Sequence, residues 1–149
     1  DFFQADKGLF SASLTTRDGG EILLCSPCHE GISPAHSSIT ESASLSLEEI
    51  LDLVQRKEII DPLAAIEAIY LKTLCNRHKI SLLAAGLPDV FIDAFRFERV
   101  VSIQEVVDRH LSENPSSRIG VIHQSAEVLP QKTGSDDGTN VNNHLFRLK

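Results

Sequence analysis

Apolar positions recur at helical intervals over residues 1–17: Phe3, Phe10 and Leu14 lie seven and four apart, with Ala5, Leu9 and Ala12 beside them. The pattern predicts a helix that Asp18-Gly19-Gly20 stops, because glycine reaches the φ > 0 geometry that ends helices. Ile22-Leu23-Leu24-Cys25 follows as an unbroken apolar run, the signature of a buried parallel strand. Residues 26–45 are rich in Ser, Pro, Gly and His and predict a long loop. Ser46-Leu47-Glu48-Glu49 has capping-box spacing and opens a helix striped by Leu47, Ile50, Leu51 and Val54. Asp61-Pro62 starts another, with proline at the first helical position, where its missing N–H costs nothing. Its expected buried face is Ile66, Ile69, Tyr70, Thr73 and Leu74. Its basic end, Arg77-His78-Lys79, suits the helix dipole, and His78 reads there as a surface residue.

Ile80 to Ala85 predicts a second strand, followed by Gly86-Leu87-Pro88 and a short helix through Phe91 and Ala94. Val100-Val101 reads as a brief third strand. Ser102-Ile103-Gln104-Glu105 repeats the capping pattern before a helix through Val106, Val107 and Leu111, which Asn114-Pro115 ends. Arg118 to His123 reads as a last strand. Helices thus alternate with short apolar strands, which predicts an α/β layered, Rossmann-like fold: a mainly parallel sheet flanked by helices. Such sheets bind ligands at the carboxyl ends of their strands, here Cys25 to Ile32, Ala85 to Pro88 and His123 to Ala126. Residues 1–131 are expected to form this domain. Residues 132–149 are expected to be a polar, flexible tail, since Thr133 to Asn143 has Val141 as its one large apolar residue.

Charge narrows the partners. Fourteen Lys and Arg against 21 Asp and Glu leave a net charge of −7, with a pI near 5.3. That balance carries no electrostatic footprint for nucleic acid or an anionic membrane. No apolar run approaches the roughly 18 residues of a membrane span, and no signal peptide is visible. Three cysteines are too few and too odd in number for a disulfide framework, which favours a reducing compartment such as the cytoplasm. The chain has no methionine and opens in Asp1-Phe2-Phe3-Gln4, so a processed chain or a piece of a longer one is expected.

Cys25-Ser26-Pro27-Cys28-His29 satisfies the C-x-x-C-H haem-attachment spacing. The same residues allow a redox dithiol, which needs a thiol activated at a helix N-terminus, or zinc held by Cys25, Cys28, His29 and His36. The plainer reading is a buried Cys25 and a loop Cys28 that packs. No two of the six histidines have the i, i+4 spacing that pairs imidazoles on one helix face. Gln4 and Lys7, at i, i+3, do share a face, so an amide and an ammonium point the same way. Near a helix start, where the dipole and free N–H groups favour anions, they could hold a small carboxylate.

Asp1-Phe2-Phe3-Gln4-Ala5-Asp6-Lys7-Gly8-Leu9 resembles the segment opening the C-terminal domain of the nickel-dependent lactate racemase family, an aromatic residue followed by Gln-Ala-x-Lys-Gly/Ala. Asp18 to Leu24, His29-Glu30-Gly31-Ile32, Arg77 to Ile80, Leu87-Pro88-Asp89, Val101 to Val106 and Arg118 to Ile122 continue the likeness, over about residues 1–131. The resemblance implies the C-terminal part of a two-domain 2-hydroxy-acid racemase or epimerase. In that family a nickel-pincer nucleotide takes and returns hydride while a His base moves the hydroxyl proton. It further implies that Gln4 and Lys7 bind the substrate, that Phe3 stands where Tyr is usual, and that catalytic bases and cofactor ligands belong to an N-terminal domain. The fragment alone is then expected to be inactive and to hold no cofactor. The alternatives are a non-catalytic α/β module binding a small anion or a partner, and a Cys25/Cys28 redox module.

Overall fold

The computed structural model describes residues 1–131 and the backbone of 132 and 146–147. Three strands, β1 (Glu21–Cys25), β2 (Lys79–Leu83) and β3 (Glu98–Arg99), form a parallel sheet in the order β1-β2-β3. The register runs from Glu21 opposite Lys79 to Cys25 opposite Leu83, and sets Ser81 opposite Glu98. Around it lie α1 (Phe2–Ala5), α2 (Lys7–Ser13), α3 (Ile39–Ser44), α4 (Leu47–Arg56), α5 (Pro62–Arg77), α6 (Asp89–Phe95) and α7 (Ile103–Glu113). The expected α/β layered fold is therefore the one observed. A separate two-residue ladder, β4 (Gln131–Lys132) with β5 (Phe146–Arg147), is antiparallel. The polar stretch Thr133 to Asn143 lies outside the described residues.

Ile22, Leu24, Ile80 and Leu82 carry the sheet into the core, where Phe91 is fully buried. Phe2 and Phe95 pack edge-on against that ring, at centroid distances of 4.9 and 5.2 Å. The core thus ties α1 to α6. Both strongest cap signals form: Ser46 accepts from the Glu49 N–H while Glu49 accepts from that of Ser46 at 2.6 Å, and Asp61 accepts from Leu63 and Ala64 at 3.1 Å each.

Several expectations need correction. The opening helix is two short helices meeting at Asp6, and it ends at Ser13, before the glycines. Thr15 and Thr16 both donate their hydroxyls to the Ala12 carbonyl, the competition that ends helices early. Its buried large apolar residues are Phe2 and Leu9, whereas Phe10 and Leu14 are about half exposed. On α5 the inward stripe is Ala64, Ala65, Ala68, Leu71 and Leu74, with Ile66 exposed. Small residues there let α3 and α6 approach. On α4 only Ile50 of the expected stripe is buried. Residues 26–45 contain α3. Arg118 to His123 forms no strand: Ile119 and Val121 are exposed, and β3, two residues long, offers almost no ladder to extend. His78 is buried, with neither ring nitrogen partnered, so burial and then the Arg77 charge hold its pKa down.

At the amino edge of the sheet α7 is docked by charge. Glu21, 5% exposed at its side chain, accepts from Arg109 at 2.6 and 2.9 Å, pairs with His110 at 2.8 Å and bonds the buried Ser81 hydroxyl. Arg109 also reaches Glu98 at 2.7 Å, which Lys79 meets at 2.5 Å. Burial alone would raise the Glu21 pKa; the Ser81 and His110 bonds and the Lys79 and Arg109 charges bring it below the usual carboxylate value.

Candidate functional site

The carboxyl edge is arranged differently. After β1 the chain turns through Cys28 (φ 46°) and Gly31 (φ 72°), and the Gly31 N–H donates to the Cys28 carbonyl at 2.9 Å. Gly86, after β2, donates to the Pro27 carbonyl at 3.0 Å. A Cβ on Gly86 would lie 1.9 Å from the Cys28 carbonyl oxygen, so the two loops meet backbone to backbone. Cys28 is the buried cysteine and Cys25 the exposed one, the reverse of the expectation for Cys25. Partial burial still pushes the Cys25 thiol pKa up, away from the activation a redox thiol needs. His29 is exposed, and His36 is engaged elsewhere. Among the described residues no group of three or more His, Cys, Asp or Glu side chains could hold a metal ion. The Cys25–His29 run therefore acts as a packing seam.

That seam carries α1. The Phe2 and Phe3 N–H groups donate to Gly31 and Ile32 at 2.9 and 3.0 Å, and the Gln4 N–H to the Asp1 side chain at 3.0 Å. The helix start thus has its donors occupied, so an anion here would be held by side chains, contrary to the expected use of free N–H groups. Gln4 and Lys7 are both exposed, and the Lys7 ammonium donates to Gln4 Oε1 at 2.5 Å. This contact engages the amide oxygen and leaves the Gln4 NH₂ as a donor beside the cation. Lys7 also borders a shallow groove of about 320 Å³, shared with Phe10, Ser11 and residues 126–129. The groove's far wall is tied down where Ser11 donates to the Val128 carbonyl at 2.6 Å.

Two further clusters flank this pair. Phe3 packs on the His36 ring at 4.9 Å, and His36 Nδ1 meets Asp61 Oδ2 at 2.9 Å. The His36 bond, with the Ala64 cap, lowers the Asp61 pKa. On the other side Asp6, 5% exposed, lies beside Glu67 of α5. Neither pairing was visible in the sequence, where His36 stood only as a possible zinc ligand. Glu67 did leave a signal: it is the lone charged residue between Pro62 and Leu71.

The chain shares its fold with a lactate racemase. It superposes on the lactate racemase apoprotein from Thermoanaerobacterium thermosaccharolyticum with a TM-score of 0.58 and 16% sequence identity, over 78% of this chain. It spans 28% of that protein's length. No protein-family model and no curated protein matches the sequence. Among the described residues no helix is long and apolar enough to cross a membrane.

Proposed function

We propose that this chain is the C-terminal, substrate-binding part of a lactate racemase-like 2-hydroxy-acid racemase or epimerase, with Gln4 and Lys7 as its carboxylate clamp. The observation that carries this reading is the Lys7–Gln4 contact beside the carboxyl edge of a parallel sheet, in a fold shared with a lactate racemase. Lys7 supplies the counter-charge, and the free Gln4 NH₂ fixes the direction of a carboxylate oxygen. Positioning of this kind lets reaction at C2 proceed within one bound geometry. On this reading the part of this chain is to bind and orient substrate. An N-terminal domain of the same protein would supply the nickel-pincer nucleotide and the proton-transferring histidines. The seam that presents α1 is the natural support for such a clamp, because it leaves both side chains unobstructed.

The test is the protein together with that domain, produced alongside the enzymes that build the cofactor. Single enantiomers of lactate and larger 2-hydroxy acids are incubated in deuterated water, following chirality and C2 labelling. Inversion with the original hydrogen retained at C2 is expected. Deuterium at C2 would mean proton exchange and overturn the mechanism; no inversion of any substrate, with nickel and cofactor bound, would leave a module that only binds.

A further inference from the structure

Asp6 sits at the joint between the helix that carries Gln4 and the helix that carries Lys7. Its carboxyl points into the protein, 5% exposed, and meets the Glu67 carboxyl from α5. One turn along α5 stands Tyr70, whose ring lies 6.5 Å from that of Phe10 on α2 and whose hydroxyl feels the charges of both acids. Glu67 Oε1 and the Tyr70 hydroxyl are both sealed from solvent without a hydrogen-bond partner. Two carboxylates in contact cannot both be ionised in so dry a place without a strong penalty. A single proton between them removes one charge and gives the stranded oxygen a partner. The charged and titratable groups that act on the pair are Lys7, next to Asp6 in the chain, and Tyr70, which in turn feels Cys75.

We propose that Glu67 is a positioning residue for the Gln4–Lys7 clamp: it shares one proton with Asp6, and that proton clips the α1–α2 joint to α5. Loss of the proton would place a second negative charge next to Lys7, drawing the ammonium inward and away from an incoming carboxylate. Burial, then the Asp6 bond and charge, push the Glu67 pKa up to about 9, and burial raises that of Asp6. The clip thus stays closed at neutral pH and opens in alkali. The effect on anion binding rests on the reading of Gln4 and Lys7 as a carboxylate clamp; the shared proton does not.

The experiment uses the chain itself, labelled for side-chain carboxyl ¹³C and backbone amide NMR, with lactate as the probe. Glu67 is expected to titrate near pH 9, and the Gln4 and Lys7 amides to shift with the same midpoint. Lactate binding, read at Lys7, is expected to weaken threefold or more between pH 7 and 9.5. In Glu67→Gln, nearly identical in shape, the alkaline step should vanish and the pH dependence of binding flatten. Both carboxyls titrating below pH 6, or Gln4 and Lys7 amides that ignore the alkaline step, would overturn the proposal. Absence of lactate binding with the carboxyl titration intact would sink the carboxylate clamp and leave the clip standing.

Discussion

Replacing Gly86 by alanine tests whether the seam behind the candidate site is as tight as its geometry implies. The new Cβ would sit 1.9 Å from the Cys28 carbonyl oxygen and 2.9 Å from that of Pro27. Both obstacles are backbone, so no side chain can rotate out of the way. Relief to even a strained 3.0 Å contact requires about 1.1 Å of movement, from the difference between 3.0 and 1.9. Overpacking of this kind costs roughly 1–3 kcal/mol. The shift also strains the Gly86 N–H bond to Pro27, worth about 1 kcal/mol. Together Gly86→Ala should cost about 2–4 kcal/mol, measured as the change in unfolding free energy in urea at pH 7. A thiol-reactive dye gives a second, local readout. Cys25 should react in both proteins, whereas Cys28, 2% exposed, should become reactive only in the variant. A change below 0.5 kcal/mol, with Cys28 still inert, would refute the seam as a rigid support.

Gly8 makes the converse case. Its Cβ would meet the Ser125 hydroxyl at 2.2 Å, but that is the end of a mobile side chain, and alanine favours the helix by about 1 kcal/mol. Gly8→Ala should therefore change stability by less than about 1 kcal/mol while displacing Ser125, checked by urea unfolding and amide shifts around Ser125. If the chain works as proposed, joined to an N-terminal domain, Lys7→Ala in that protein should reduce kcat/KM for lactate by a factor equivalent to about 2–4 kcal/mol, the scale for losing a charged partner; activity within threefold would remove Lys7 from the site. The Glu98 pKa is lowered to about 2 by the Arg109 and Lys79 hydrogen bonds, below its unfolded value. The unfolded chain then binds more protons in acid, so stability is present above about pH 4.5 and lost as pH falls towards 2. Arg109→Gln should make that acid loss shallower in urea titrations from pH 6 to 2.5; an unchanged slope would argue against the ion cluster.

Local signals were legible and contacts between distant residues were not. The Ser46–Glu49 and Asp61–Pro62 caps, and the unbroken runs of β1 and β2, depend on neighbours in sequence. The inward face of α5 does not: nearly every position from Leu63 to Leu71 is apolar, so periodicity cannot choose a stripe. The choice falls to α3 and α6, which need alanines opposite them. Arg118 to Ile122 has strand-like alternation, yet a strand exists only with a partner to complete its ladder. The Gln4–Lys7 contact was readable because Asp6, at the joint of α1 and α2, keeps right-handed helical backbone, so the i, i+3 spacing survives the break. His36 and Asp61, 25 residues apart, meet only because the loop after β1 folds back over the start of α5. Asp6 and Glu67 required the same kind of long-range closure.

The central ladder has a consequence for how the chain reaches its native state. Glu21 pairs with Lys79, so β1 waits for a segment 58 residues later before it gains its one neighbour in the sheet, from the difference between 79 and 21. Closure of so long a loop comes before any reward from the ladder, which places this fold among the slower ones for its size. Helices α4 and α5, with their strong caps, can form early from local signals. Until β2 arrives, Ile22 to Leu24 is an unpaired apolar strand. During synthesis that exposure lasts until residue 83 has left the ribosome, about 3–12 s at 5–20 residues per second.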